Sequence, residues 1–142
     1  VPQDPDLTLF CSTVREELAY GPLEAQLPMK ENERRVRDAA QMLSLDELLE
    51  RPPQALSCGQ RLRCAVAAAL TCEPDILLLD EPTYYLDRES LGALSNAIEE
   101  NQRLRRRVWR FYGITGSGHL VFQGQWCVSL SYQCASIIGK ID

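Results

Sequence analysis

A run of aliphatic residues closing on two acids, Ile76-Leu77-Leu78-Leu79-Asp80-Glu81, constrains this chain more than any other feature. A short, wholly apolar run predicts a strand buried on both faces of a parallel sheet, and so an α/β fold. Ligands of open α/β sheets sit beyond the carboxyl ends of the strands, where Asp80 and Glu81 would emerge. Two adjacent carboxylates there can divide the work of nucleotide hydrolysis, one holding Mg²⁺ through its water shell and one orienting the attacking water. An acidic strand end without a role is the alternative.

Upstream, Ser57 and Gln60 make an S-x-x-Q capping box, and Leu62, Val66, Ala69 and Leu70 follow on one helical face. The box alone requires only a cap. Gly59 points further: a glycine in the first turn costs up to about 1 kcal/mol relative to alanine, yet it lets an anion approach backbone N–H groups already aimed outward. Ser57-Cys58-Gly59-Gln60 is therefore a candidate phosphate site.

Leu56-Ser57-Cys58-Gly59-Gln60, then Arg63, then Ile76 to Thr83 and Leu86-Asp87, resembles the signature motif, Walker B strand and D-loop of ABC-type ATPases, in order and at that family's spacing. The resemblance implies a partial P-loop NTPase-type parallel sheet with an inserted α-helical subdomain, ATP and Mg²⁺ as ligands, and two ATPase subunits face to face. It implies that Ser57, Cys58, Gly59, Gln60 and Asp87 reach a nucleotide, Ser57 and Gly59 touching the γ-phosphate of one held by the partner. Asp80 as metal ligand and Glu81 as catalytic base would serve this chain's own site. Cys58 replaces the usual first glycine of the signature, keeping the backbone N–H but adding a side chain. Tyr84-Tyr85 stands where the family has small residues, at a crowded dimer junction.

The stretch Gln3-Asp4-Pro5-Asp6 through Gly21-Pro22 resembles the region after the Q-loop in ATPases of energy-coupling factor transporters, which import vitamins and transition-metal ions. By that resemblance Gln3 is the Q-loop glutamine near Mg²⁺ and the γ-phosphate; as bare sequence it is a glutamine in a polar turn. A T-x-x-E box at Thr13 and Glu16 predicts a short helix stopped by Gly21-Pro22. Val36, Ala39, Ala40 and Leu43 repeat at helical spacing opposite charged residues, and Leu45, Leu48 and Leu49 predict a second short helix ended by Arg51-Pro52-Pro53. In the resembled family such helices form a groove for a cytoplasmic helix of the membrane subunit. Asp87 is expected to cap a helix burying Leu91, Leu94 and Ile98.

Charge divides the chain sharply. Residues 1–102 hold nine Lys/Arg against nineteen Asp/Glu, whereas residues 103–142 hold six against one, so a −10 segment is joined to a +5 segment. The expected organisation is a partial ABC ATPase domain over 1–102 and an atypical basic tail over 103–142, read in a shifted frame or joined from unrelated sequence. Where the family has a strand ending in a γ-phosphate-sensing histidine, the tail offers only a later His119. Gly113 to Leu120 mimics a phosphate loop, with His119 for the lysine and Leu120 for the Mg²⁺-binding hydroxyl. Arginines at 103, 105, 106, 107 and 110 among Trp109, Phe111 and Tyr112 raise a nucleic-acid alternative. The post-Q-loop stretch favours transport, and no nucleic acid is expected.

Six cysteines at 11, 58, 64, 72, 127 and 134 form no C-x-x-C pair, as expected of reduced thiols rather than a zinc site. No apolar run reaches bilayer length, so membrane association is expected only through a transmembrane partner, on the cytoplasmic side. The lysine-bearing phosphate loop would precede Val1, so this stretch alone is expected to be catalytically silent. A truncated interaction module without catalysis is the other reading.

Overall fold

Thr13 and Glu16 start the first helix reciprocally. The Thr13 hydroxyl accepts from the Glu16 N–H at 3.2 Å, and Glu16 Oε2 accepts from the N–H groups of Thr13 at 3.2 Å and Ser12 at 3.1 Å. The next N–H groups, at Val14 and Arg15, donate to the carbonyls of Arg51 and Leu49. This first helix thus begins with most of its free donors satisfied. The computed structural model describes residues 1–2, 4–80, 88–103, 107–112 and 121–122. It contains α1 (Val14–Glu24), α2 (Met29–Met42), α3 (Cys58–Thr71), β1 (Ile76–Asp80), α4 (Arg88–Arg103), β2 (Arg107–Tyr112) and β3 (Val121–Phe122), with single 3₁₀ turns at Pro5–Leu7, Asp46–Leu48 and Pro53–Ala55.

Gly21-Pro22 does not stop α1, which runs on to Glu24. Proline removes one N–H, and here only the final turn loses it, while the ring itself is fully buried. The stop comes from Gln26, at φ 55°. Its N–H reaches Leu23 O at 2.9 Å and the Leu27 N–H reaches Pro22 O at 3.1 Å, the paired bonds of a left-handed C-terminal cap. The same pair closes α2: Ser44, at φ 53°, donates to Gln41 O and Leu45 to Ala40 O. That closure shortens the helix expected over Leu45–Leu49 to the turn Asp46–Leu48, because Leu45 is committed to ending α2 and Pro52 and Pro53 follow at once.

α1, α2 and α3 pack on one another as a helical unit. Val36, Ala39, Ala40 and Leu43 are buried as their spacing predicts, with Val14 and Leu18 of α1 facing them. Burial of each such leucine is worth roughly 1.5–3 kcal/mol. α3 lies deepest: Cys64, Ala65 and Ala67 are buried along with Leu62, Val66 and Leu70, a wider apolar surface than one face. α4 packs on α3 and beside β2, burying Ser90, Ala93, Leu94 and Ala97. Leu94 is thus on the buried face as expected; the side chains of Leu91 and Ile98 lie outside the described residues.

The sheet has the order β1-β2-β3. β1 and β2 are parallel in the register Ile76↔Arg107 through Asp80↔Phe111, and β3 returns antiparallel, with Phe122 opposite Phe111. A strand therefore follows α4 within the arginine-rich stretch. β1 is covered unequally: Leu77 and Leu79 are buried, but Leu78 is 50% exposed. The expectation of burial on both faces fails there because alternate side chains point to opposite sides of a sheet, and the described helices cover only the side of Leu77 and Leu79. The Val1 amino group donates to Leu78 O at 2.8 Å, which lays the start of the chain beside β1.

Candidate nucleotide site

The mouth of α3 is built from the turn Pro53–Ala55 upward. Buried Pro53 and Leu56 anchor the approach, and Leu56 and Ser57 are extended, as a residue preceding a helix must be. Ser57 Oγ accepts from the Gln60 N–H at 3.3 Å and Gln60 Oε1 accepts from the Ser57 N–H at 2.9 Å. The predicted capping box is present. The Arg61 N–H is also satisfied, by Ser57 O at 2.8 Å.

Two donors are left over. No described residue accepts from the N–H of Cys58 or Gly59. Ser57 Oγ uses a lone pair for its cap bond, so its proton remains available, and Gln60 retains its NH₂. Ser57 is exposed, Cys58 and Gln60 are half-buried and Gly59 is buried. An approaching oxyanion thus comes over Ser57 and Cys58 rather than over the glycine. The first turn carries no acidic side chain. Backbone amides, a hydroxyl proton and the positive end of a 14-residue helix are a donor set that fits a phosphate oxygen.

Two arginines fix this mouth. Arg61 Nη1 donates to Leu56 O at 2.7 Å, one residue before the cap. Buried Arg63 sends Nη1 to Leu43 O at 3.1 Å and to Ser44 O at 3.4 Å, tying α3 to the end of α2. Arg61 Nε lies 2.7 Å from Asp6 Oδ1, in the turn Pro5–Leu7. Sequence reasoning did not single out Asp6 or the role of Arg61, because the partners stand far apart in the chain and neither belongs to a local pattern.

A second buried group shapes the segment after Gln3. Glu17 Oε2 accepts from the N–H groups of Phe10 at 3.0 Å and Cys11 at 2.7 Å. Burial pushes the Cys11 thiol up to about 11, with Glu17 adding to the shift, and burial pushes Cys64 up to about 12. Both thiols stay protonated near neutrality, so neither is a thiolate nucleophile.

Asp80 ends β1 at the carboxyl edge of the sheet, as the sequence predicts, although its side chain lies outside the described residues. Gln3, Glu81, Tyr84, Tyr85, Asp87 and His119 lie outside them altogether. Among the described residues no three His, Cys, Asp or Glu side chains gather to hold a metal ion. The structure therefore brings Ser57, Cys58, Gly59 and Gln60 to one helix mouth and puts Asp80 at the strand end.

Residues 1–84, from the start of the chain through β1, match the ABC transporter family. The chain is 46% identical over 99 residues to the energy-coupling factor transporter ATP-binding protein EcfA of Carboxydothermus hydrogenoformans, covering 68% of this chain and 37% of that protein. It is 40% identical over 97 residues to the nickel import ATP-binding protein NikO of Rhodobacter capsulatus, covering 68% and 38%. Among solved structures it superposes on cbiO1 from Clostridium perfringens, part of the ABC transporter complex cbiONQ, with a TM-score of 0.68 and 34% identity over 76% of this chain and 43% of that one. The chain thus spans less than half the length of each of these relatives. With the signature spacing, the capped mouth of α3 and the Walker B strand all inside or abutting the matched region, this chain belongs to the ABC transporter family.

Proposed function

We propose that this chain supplies the signature helix and the Walker B carboxylates of the ATP-hydrolysing subunit of an energy-coupling factor-type importer. One observation carries the reading: the Ser57–Gln60 box caps α3 while the Cys58 amide and the Ser57 hydroxyl proton remain free at an accessible helix mouth. In this reading Ser57, Cys58, Gly59 and Gln60 hold the γ-phosphate of a nucleotide bound by a second ATPase subunit, and Asp87 approaches the same facing site.

Glu81 accepts the proton of the attacking water and Asp80, with Gln3, holds the metal. Bound Mg²⁺ would neutralise charge on the β- and γ-phosphates. Residues 1–102 form the ATPase part, with the helical unit α1–α3 and β1 of a partial P-loop-type sheet that β2 and β3 extend; residues 103–142, which supply those two strands, are otherwise a basic tail. Among the described residues no helix is long and apolar enough to cross a membrane, and the chain sits on the inner membrane face by binding a transmembrane subunit. The exposed Phe10 and Tyr20, in edge contact at 4.9 Å, with Leu23 nearby on α1, offer that subunit an apolar seat.

ATP turnover by the assembled transporter ATPase tests the site. Glu81→Gln should lower turnover about a thousandfold with ATP binding retained. Ser57→Asp keeps an N-cap side chain but opposes a phosphate with like charge, so it should lower turnover about a hundredfold without lowering the melting temperature. The 142-residue polypeptide by itself should hydrolyse ATP at background rate, since it contains no lysine-bearing phosphate loop. Unchanged turnover in both variants would remove the assignment.

A further inference from the structure

The turn that follows Gln3 is a rigid platform. Asp4 Oδ1 accepts from the Asp6 N–H at 3.0 Å, Thr8 donates to Pro5 O through its N–H at 3.0 Å and its hydroxyl at 2.9 Å, and Pro5 is fully buried. Asp6 therefore presents its carboxylate from a fixed backbone. Opposite it, Arg61 spans two segments: Nη1 donates to Leu56 O and the Nε edge lies 2.7 Å from Asp6 Oδ1. That Nε is buried, and its N–H is not directed at the carboxylate well enough to count as a hydrogen bond. The contact is one of opposite charges, partly shielded from water, with the side chains 24% and 57% exposed.

These two residues are placed between candidate phosphate contacts. Asp6 stands three positions after Gln3, and Arg61 immediately follows Gln60 and grips the carbonyl before Ser57. We infer that Asp6 and Arg61 are positioning residues, a latch holding the mouth of α3 to the segment leaving Gln3, so that displacement of that segment shifts the Leu56–Ser57 backbone and the donors it presents. The inference rests on the proposed ATPase reading for its catalytic consequence, but not for the contact itself. Asp6 is exposed and Arg61 only half-buried, so loss of their contact should leave the fold standing.

Amide hydrogen exchange of the 142-residue chain reads the contact directly. In Asp6→Asn and in Arg61→Gln the Gln60 and Arg61 amides should exchange about tenfold faster, while those of Val66 to Leu70 keep their rates. The double variant should exchange no faster than Arg61→Gln, which already loses both the Asp6 contact and the Leu56 bond, and Asp6→Glu should restore slow exchange. In the assembled ATPase the same single variants should lower kcat about tenfold with KM for ATP within about twofold. Wild-type exchange at the mouth, or single effects that multiply in the double variant, overturns the latch. Faster exchange with unchanged kcat overturns its catalytic role. Turnover insensitive to Glu81→Gln alongside the expected exchange pattern leaves the latch standing and removes the ATPase reading.

Discussion

Gln26, Ser44 and Glu73 each hold a left-handed backbone, at φ 55°, 53° and 50°, directly after α1, α2 and α3. A side chain in that conformation costs roughly 1–2 kcal/mol that glycine avoids. Replacing Ser44, exposed and bound to its neighbours only through the backbone, with glycine should raise stability by about 1 kcal/mol in urea unfolding. These helix ends were not legible in the sequence because the residue that usually marks them is absent from all three. Gly21, which does look like a stop signal, instead lies within α1. Another residue-scale effect concerns pH. Arg34 and then Arg35 hydrogen-bond Glu31 and hold its carboxyl down to about 2, from an ordinary 4.5. A depressed folded-state value means the unfolded chain binds the proton more readily, so this stabilisation is present above about pH 4.5 and fades as pH falls towards 2. In acid unfolding, Glu31→Gln should show a shallower loss of stability across that window than the wild type.

At the scale of elements, what the sequence disclosed is what is local. Both capping boxes are read from side chains three positions apart, and α2 from an apolar period; each is decided within one or two turns. The Glu17 clamp has no such signature. A glutamate in α1 reads as surface charge, and only the fold reveals it buried, with two backbone N–H groups of the preceding segment on one carboxylate oxygen. Glu17→Ala should destabilise the chain by about 3 kcal/mol in denaturant melts, since it strands both donors as well as removing a charge-assisted pair. Glu17→Gln, which keeps an acceptor, should cost less than half of that. Arg63 is a similar case: it stands within the signature spacing, yet its side chain serves α2 by holding the carbonyls of Leu43 and Ser44.

For the whole molecule, the apolar run Ile76–Leu79 correctly announced a strand of a parallel sheet, but not how evenly that strand is covered. Coverage depends on which helices lie over each face, and Leu78 shows that composition cannot disclose it. The strand Arg107–Tyr112 was obscured by its arginines, because strand length and pairing with β1 are set by the neighbour as much as by the residues themselves. Of the candidate site, the Ser57–Gln60 capping box was legible, being a local motif; the burial of Gly59 and the bracing by Asp6 were not. Phe10 and Tyr20 carry an expectation at this scale. Phe10→Asp should leave the melting temperature within about 2 °C, as exposed substitutions usually do, while abolishing co-purification with the transmembrane subunit proposed as its partner. Asn32 Nδ2 donates to Ala19 O between α2 and α1, and where α3 ends Arg35 Nη1 donates to Thr71 O and pairs with Glu73, and the Cys72 sulfur fills the space where a methyl on Gly21 would go. Cys72 is nonetheless the exposed one among the described cysteines, so of these it will be the first thiol a maleimide dye finds. Such a dye would be a wedge between two helices that have no room for a single carbon more, and any spectroscopic ruler hung there would report on a molecule already prised open.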